Sequence, residues 1–230
     1  TTSGTSNLRL GVNAGNSIAS GGNFNVTVGD EAGTAITTGD QNTFVGFQAG
    51  DATTTSSNNT GIGNNALGGN VLGSYNVAIG KDSLEEMNPD SATDMYNTAV
   101  GAAAGQKVTT GTNNTIIGGL AGDAVTTGGE NTAVGKSSLS SNTTGARNEA
   151  VGAATLFTNT TGDNNTAVGR QALYNNTTAD NNVAIGGNAL FANTTGTYNT
   201  AVGKAALDAN TTASAITAVG FGALGSNTTG

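Results

Sequence analysis

A glycine recurs every seventeen residues along most of the chain, and an aliphatic residue always precedes it. The spacing changes once, to twenty-one residues between Gly80 and Gly101, and Gly11 lies eighteen residues before Gly29. The regular series is Gly29, Gly46, Gly63, Gly80, Gly101, Gly118, Gly135, Gly152, Gly169, Gly186, Gly203 and Gly220. A fixed period of this length is typical of a solenoid, in which each repeat is one coil packed against its neighbours. We therefore expect residues 1–230 to form a single all-β repeat domain.

The residues that lead to each glycine predict one short strand per coil. The residue directly before the glycine is Val, Ile or Leu, and two positions earlier the residue is mostly Thr or Val. A small residue, usually Ala, lies between them. Alternation of β-branched residues with period two is typical of a strand. We expect the Val and Ile residues to fill the core together with Leu, and the Ala face to pack against another chain.

Asn occupies the position four residues before the glycine in twelve of thirteen rungs, Ile216 being the exception. Stacked coils place such side chains about 4.8 Å apart, which is close enough for amide-to-amide hydrogen bonds. The Asn column therefore predicts a structural ladder.

The second half of the coil has two forms. Eight coils carry Leu four residues after the glycine, and five carry Gly there: Leu67, Leu84, Leu139, Leu156, Leu173, Leu190, Leu207 and Leu224 against Gly15, Gly33, Gly50, Gly105 and Gly122. Three residues later the Leu form usually has Asn, whereas the Gly form usually has an aliphatic residue such as Ile36, Val108 or Val125. This predicts compensation, with the core side chain supplied from another point of the coil. The Gly form prevails in residues 1–130 and the Leu form in residues 131–230.

A seventeen-residue coil has room for two short strands and two turns. The chain would hold about thirteen such coils, in a parallel β-solenoid. Only 35% of the residues are hydrophobic and 4% are aromatic, so each coil buries little apolar area to offset the entropy lost on ordering. We therefore expect an obligate homo-oligomer.

Two Val-Ala-Ile-Gly segments, Val77 to Gly80 and Val183 to Gly186, resemble the head repeat of YadA-like trimeric autotransporter adhesins. The adhesin repeat is shorter than seventeen residues. The longer unit Asn-Thr-Ala-Val-Gly…Ala-Leu…Asn-Thr-Thr-Gly is similar to repeats of phage tail fibres and related surface fibres. The resemblance implies a left-handed β-roll, three chains side by side in a homotrimer, and an extracellular place on a virion fibre or a cell surface. It also implies attachment to a host cell-surface glycan or protein.

Composition argues against several other functions. The chain has no His and no Cys, which removes Ser-His-Asp and Cys-His catalysis and most transition-metal sites. We expect no enzyme activity and no bound cofactor. A net charge of -8 argues against a nucleic-acid partner, and no stretch approaches eighteen apolar residues, so no membrane insertion is expected.

The insertion at residues 85–96 breaks the repeat and is one candidate binding site. It contains the only Pro, both Met residues, four carboxylates and a tyrosine; the candidate residues are Glu85, Glu86, Asp90, Asp94 and Tyr96. Insertions in solenoids form loops on one face, often the binding face. Three interpretations remain open: a solvated acidic bulge, a loop that contacts a ligand, or a site for a hard cation such as calcium.

A second candidate is formed by Phe157, Tyr174 and Phe191, which occupy the same column on three successive coils. Stacking of the coils predicts an aromatic strip. The strip either caps the Leu ladder and packs across an oligomer interface, or contacts receptor sugars.

A Thr-Thr pair recurs in one register on eight successive coils, from Thr109-Thr110 to Thr228-Thr229. Regular Thr files suggest ice binding, although adjacent residues of a strand point to opposite faces, so at most one file faces water. Thr-Thr-Gly is also typical of a turn. The chain opens at Thr1 and closes at Gly230 in the same phase of the coil, which is compatible with end-to-end stacking. The sequence thus favours an attachment segment of an extracellular trimeric fibre, with a self-assembling filament and an ice-binding solenoid as alternatives.

Overall fold

The computed structural model describes residues 4–229, and residues 1–3 and 230, on which the idea of end-to-end stacking partly rests, lie outside the described part. The chain is an all-β parallel β-solenoid of about 12 turns of about 17 residues. Residues 4–229 form strands and turns and contain no helix. Thirteen strands end directly before a repeat glycine, as predicted, and thirteen strands bound twelve turns rather than thirteen coils.

The strands are short. They are β1 (Leu8–Leu10), β2 (Val26–Val28), β3 (Thr43–Val45), β4 (Thr60–Ile62), β5 (Gly73–Ser74), β6 (Val77–Ile79), β7 (Thr93–Asp94), β8 (Thr98–Val100), β9 (Thr115–Ile117), β10 (Thr132–Val134), β11 (Glu149–Val151), β12 (Thr166–Val168), β13 (Val183–Ile185), β14 (Thr200–Val202) and β15 (Thr217–Val219).

The chain divides into two compact units, the first ending at Asn113 and the second beginning at Asn114. In the first unit β1, β2, β3, β4, β6 and β8 pair in that order, and in the second unit β9 to β15 pair in sequence order. All pairs are parallel, with equivalent repeat positions opposite one another, as in Ala133 and Ala150. The prediction of a single domain, with the change of coil form near residue 130, stays a prediction.

The strands face the opposite way from our expectation. From β2 onward the central residue of every three-residue strand points inward, so Ala167 and Ala184 are fully buried, whereas Val168 and Ile185 keep 37% and 40% of their surface exposed. In β1 the central residue, Arg9, is exposed. The prediction that the Val and Ile column fills the core and that the Ala face meets another chain is therefore wrong. The physical reason is space: the Leu side chains of the opposite wall occupy the narrow interior and leave room only for a methyl group.

Apart from the short pairing of β5 with β7, the second half of the coil is made of turns rather than the predicted second strand. Seven of its eight Leu residues are fully buried although their backbone is left-handed, with φ of 47° at Leu156 and 51° at Leu173, and the eighth, Leu224, is exposed. A left-handed conformation costs a non-glycine residue about 1–2 kcal/mol. The Leu form thus combines apolar burial with backbone strain.

The Gly form avoids this strain and fills the interior from elsewhere. A Cβ added at Gly50 would lie 2.5 Å from the ring of Phe44, the central residue of β3. A Cβ added at Gly33 would lie 2.7 Å from Ile36, which is fully buried. The predicted compensation between the two coil forms is confirmed.

Two columns of buried asparagines connect the coils. In the column before the strands, the Oδ1 atom of Asn165 accepts a hydrogen bond from the backbone N–H of Asn182 at 3.0 Å. The Nδ2 atom of Asn165 donates to the carbonyl of Ala179 in the next turn at 2.8 Å. In the second column, which follows the Leu residues, Asn176 Nδ2 donates to Asn159 Oδ1 at 2.8 Å. The predicted ladder is confirmed, and the Leu coils add a second one.

Candidate functional site

The broadest candidate surface is the outward side of the strands. In the second unit we call this surface the sheet face; it is formed by Thr115, Ile117, Thr132, Val134, Glu149, Val151, Thr166, Val168, Val183, Ile185, Thr200, Val202, Thr217 and Val219. All of these side chains are exposed or half-buried, and Glu149 is the only charged one. The outward positions of β2, β3, β4, β6 and β8 in the first unit are likewise Thr, Val or Ile.

The sheet face has a regular geometry because each strand contributes two outward side chains. Adjacent parallel strands lie about 4.8 Å apart, so the Val and Ile residues form one ridge and the Thr residues run beside it. Contiguous exposed apolar surface of this kind is typical of an interaction site rather than of a solvated face. The sheet face can dock a flat partner.

The structure brings Phe157, Tyr174 and Phe191 together as the predicted strip. The ring centroids of Phe157 and Tyr174 are 5.1 Å apart with the planes 6° apart, and those of Tyr174 and Phe191 are 5.3 Å apart with the planes 16° apart. All three side chains are half-buried. The stacking confirms the geometric prediction, while sugar binding by the strip stays a prediction.

Stacking determines which part of each ring a ligand can touch. The inner ring faces cover one another, so the strip presents mainly ring edges. Ring edges carry partial positive charge, whereas ring faces are negative. The strip is therefore suited to oxygen atoms of a ligand more than to the C–H face of a sugar.

The insertion contains β7, which pairs in parallel with β5 of the preceding coil. Its two methionines, Met87 and Met95, are fully buried inside the coil. Glu86 and Asp90 are exposed, in contrast to Glu85, whose carboxylate accepts hydrogen bonds of 2.6 Å from Asn65 Nδ2 and from Gln106 Nε2. The insertion is thus anchored by its methionines, and Glu85 belongs to an amide ladder with neighbouring coils.

Asp94 and Tyr96 lie close together, and Tyr75, which the sequence did not single out, lies beside them. The ring of Tyr96 stacks on Tyr75 with centroids 5.1 Å apart, and the two side chains are 53% and 43% exposed. Loss of hydration around its hydroxyl raises the pKa of Tyr96, and the adjacent carboxylate of Asp94 adds to this effect. The signal for Tyr75 was available, since Tyr75 and Tyr96 both lie five residues before a repeat glycine.

The calcium interpretation of the insertion gains no support from geometry. Within residues 4–229 no three or more acidic side chains approach closely enough to hold a metal ion. The four carboxylates of the insertion do not share one site. Glu85 is engaged by the amides of neighbouring coils, whereas Glu86, Asp90 and Asp94 are exposed.

The Thr-Thr pairs lie in the turns, as their sequence suggested. In the pairs from Thr126 to Thr211 the first threonine is half-buried, and its hydroxyl donates to a carbonyl of the following coil, as in Thr143 to Thr160 at 3.0 Å. The second threonine is exposed. In the second unit these exposed residues form a file: Thr127, Thr144, Thr161, Thr178, Thr195 and Thr212.

The fold and these surfaces define the chain as a parallel β-solenoid with exposed, regularly spaced side-chain columns. Comparisons with protein-family models, with curated proteins and with solved structures found no match to this chain. Within the described residues no helix has the length and apolar character required to cross a membrane.

Proposed function

We propose that this chain is a structural and adhesive segment of an extracellular fibre, on a virion or a cell surface, in which three copies pack side by side. In this proposal the coils wind left-handed, as in the adhesin heads that the Val-Ala-Ile-Gly segments resemble. The fibre extends and presents attachment surfaces to a host glycan or protein. The chain has no catalytic role.

The observation that carries the proposal is the sheet face. The chain has a net charge of -8, yet the outward strand positions of the second unit contain one carboxylate, that of Glu149. Such a face is suited to contact with copies of the same chain, because the negative charges of the two copies lie on other surfaces and do not meet at the contact. Burial of the Val and Ile ridge between copies would also supply apolar area that the Ala-lined interior does not provide.

Light scattering coupled to size exclusion at low micromolar concentration tests the assembly. The proposal predicts discrete particles of three times the chain mass of 22.3 kDa. A folded monomer would contradict it. Long rods in negative-stain images of the same fractions would favour the alternative of a self-assembling filament.

The adhesive part is tested by binding to an array of glycans. We expect binding that weakens when Tyr174 is changed to Phe, since this substitution removes the hydroxyl and keeps the stacked ring. Tyr198→Phe is the control, because Tyr198 is exposed and lies in another column. Equal binding by both variants would exclude the aromatic strip as the attachment site.

Ice binding remains a second candidate because the exposed threonines of the second unit form a file with one residue per coil. The hydroxyls of the neighbouring threonine file are engaged with carbonyl groups, which leaves one regular file toward water. A thermal-hysteresis assay tests this candidate, and growth of ice crystals without hysteresis would remove it.

A further inference from the structure

Three of the four basic residues of the second unit lie in one column. Lys136, Arg170 and Lys204 each directly follow a repeat glycine, and they are spaced by thirty-four residues, which is two coils. We call these three residues the basic file. Since adjacent coils are about 4.8 Å apart, the positive charges recur about every 10 Å along the solenoid.

The coil backbone holds this column in place. The carbonyl of Lys136 accepts a hydrogen bond from the N–H of Ala154 in the next coil, and the carbonyl of Arg170 accepts one from Asn188, both at 3.0 Å. The carbonyls of Ala153 and Gly187, which occupy the alternate positions of the column, accept equivalent bonds of 3.0 Å from the following coil. The spacing of the charges is therefore fixed by every intervening rung.

The charges of the basic file are available to a ligand. All three side chains are exposed, and among the described residues none of them forms an ion pair. The alternate positions hold the small residues Ala153 and Gly187, which leave open space between the long side chains.

The local charge balance opposes an anionic ligand less on the second unit than on the first. Three basic against nine acidic residues give the first unit a net charge of -6, whereas four against six leave the second unit at -2. In the second unit no acidic residue occupies the column of the basic file, the column after it, or the Val and Ile ridge before it. The negative charge of the chain thus lies mostly outside the unit that carries the file.

We propose that the basic file binds an extended acidic polysaccharide that carries one carboxylate per disaccharide. Such a polymer repeats its charge once every two sugar rings, a distance close to the two-coil spacing of the file. Its uncharged parts would lie over Ala153 and Gly187, against the stems of the basic residues. The inference rests on the attachment role proposed above and names the ligand class for it.

The spacing argues against nucleic acid as the ligand. The phosphates of one DNA strand recur about every 3.4 Å, so a file with one charge per 10 Å would meet only a fraction of them. Repulsion from the remaining acidic residues would also grow with the charge density of the ligand. A polymer of sparse, evenly spaced charge fits the file and limits this repulsion.

Binding of the full chain to hyaluronan oligosaccharides, measured by calorimetry at low salt, tests the proposal. Neutral dextran of the same length is the control ligand. The test variant is Lys136→Gln with Arg170→Gln and Lys204→Gln. The matched control is Lys81→Gln with Lys107→Gln and Arg147→Gln, which removes the same number of charges outside the file. Melting curves by circular dichroism verify that both variants are folded.

We expect the wild type to prefer hyaluronan to dextran, with an affinity that falls as salt is added. The test variant should bind hyaluronan about tenfold more weakly, the loss expected for three exposed ion pairs, and the control variant within about twofold of the wild type. Equal losses in both variants, or no preference for hyaluronan over dextran, would overturn the inference. Light scattering on the same samples separates this outcome from failure of the proposed assembly, since a trimer that ignores hyaluronan refutes the polysaccharide inference alone.

Discussion

Replacement of Asn165 by Asp should make the stability of the chain depend on pH in a defined direction. Asn165 is fully buried, and its Nδ2 atom donates to the carbonyl of Ala179 and to Asn148 Oδ1 at 3.2 Å. Its Oδ1 atom accepts from the N–H of Asn182. An aspartate keeps the acceptor, but it directs a second oxygen toward two other oxygen atoms.

The magnitude follows from these contacts. An ionised carboxylate in this place is an uncompensated buried charge, which costs about 3–5 kcal/mol. A protonated carboxyl can donate to the carbonyl of Ala179 and restore one of the two donated bonds, so its cost falls to about 1 kcal/mol. The pKa of the carboxyl that Asn165→Asp introduces is then raised in the folded state. The stability recovered by protonation is fully present below the unfolded value of about 3.9 and is lost as pH rises through the folded value.

Equilibrium denaturation followed by circular dichroism measures this effect, at fixed protein concentration because the proposed assembly would contribute to stability. The quantity to compare is the difference between the variant and the wild type at each pH, which removes the titration of the other acidic residues. Asn164→Asp is the matched control: Asn164 is exposed and accepts a hydrogen bond from Arg147 Nε at 2.8 Å, so a carboxylate is tolerated there. The described ladder would be refuted if both variants lost the same stability at every pH. It would also be refuted if the stability loss of Asn165→Asp did not become smaller at acid pH.

Three further predictions concern the turns. In denaturation curves, Leu173→Gly should be at most about 1 kcal/mol less stable than Leu173→Ala. Glycine relieves the left-handed strain at this position, and this gain offsets the loss of the last methyl group; a deficit of about 2 kcal/mol would contradict the explanation. Gly135→Ala should cost about 3 kcal/mol or more, since its Cβ would lie 2.6 Å from the carbonyl of Gly152, whereas Gly187→Ala has space and should be close to neutral by the same assay. Asp51→Asn should stabilise the chain at neutral pH, because burial raises the pKa of this carboxyl; partial exposure limits the gain to about 0.5 kcal/mol. In thermal melts below pH 3.8 the gain should vanish, and a gain that persists there would count against this explanation.

The positions of the strands could be predicted from the sequence, because both the seventeen-residue period and the alternation of residue types within each strand can be read from the order of the residues. The Asn ladder could be predicted in the same way, because an identical residue at the same position of successive coils must be stacked on its copies when the coils stack. Alternation, however, shows only which residues share a face and not which face is inside. The usual preference for burying Val and Ile therefore gave the wrong answer for Val168 and Ala167.

A signal for the correct orientation does exist in the sequence. Phe44 and Ile116 occupy central strand positions where most coils have Ala, and both coils carry Gly four residues after the repeat glycine, at Gly50 and Gly122. A large residue at one position goes with glycine at the other because the two side chains share the interior. The added Cβ atoms would lie 2.5 Å from Phe44 and 3.3 Å from Ile116. The aromatic strip was predicted from its column, whereas the stacking of Tyr75 on Tyr96 was harder to foresee because the insertion separates these two residues by twenty-one positions instead of seventeen.

The central claim is that copies of the chain associate through the sheet face, and one pair of variants tests it most directly. Val168→Glu places a charge in the middle of the ridge, whereas Thr178→Glu places the same charge on an exposed turn outside the sheet face. Light scattering should find the Val168 variant at the monomer mass of 22.3 kDa and the Thr178 variant with the mass of the wild-type oligomer. An unchanged oligomer in the Val168 variant would contradict the account.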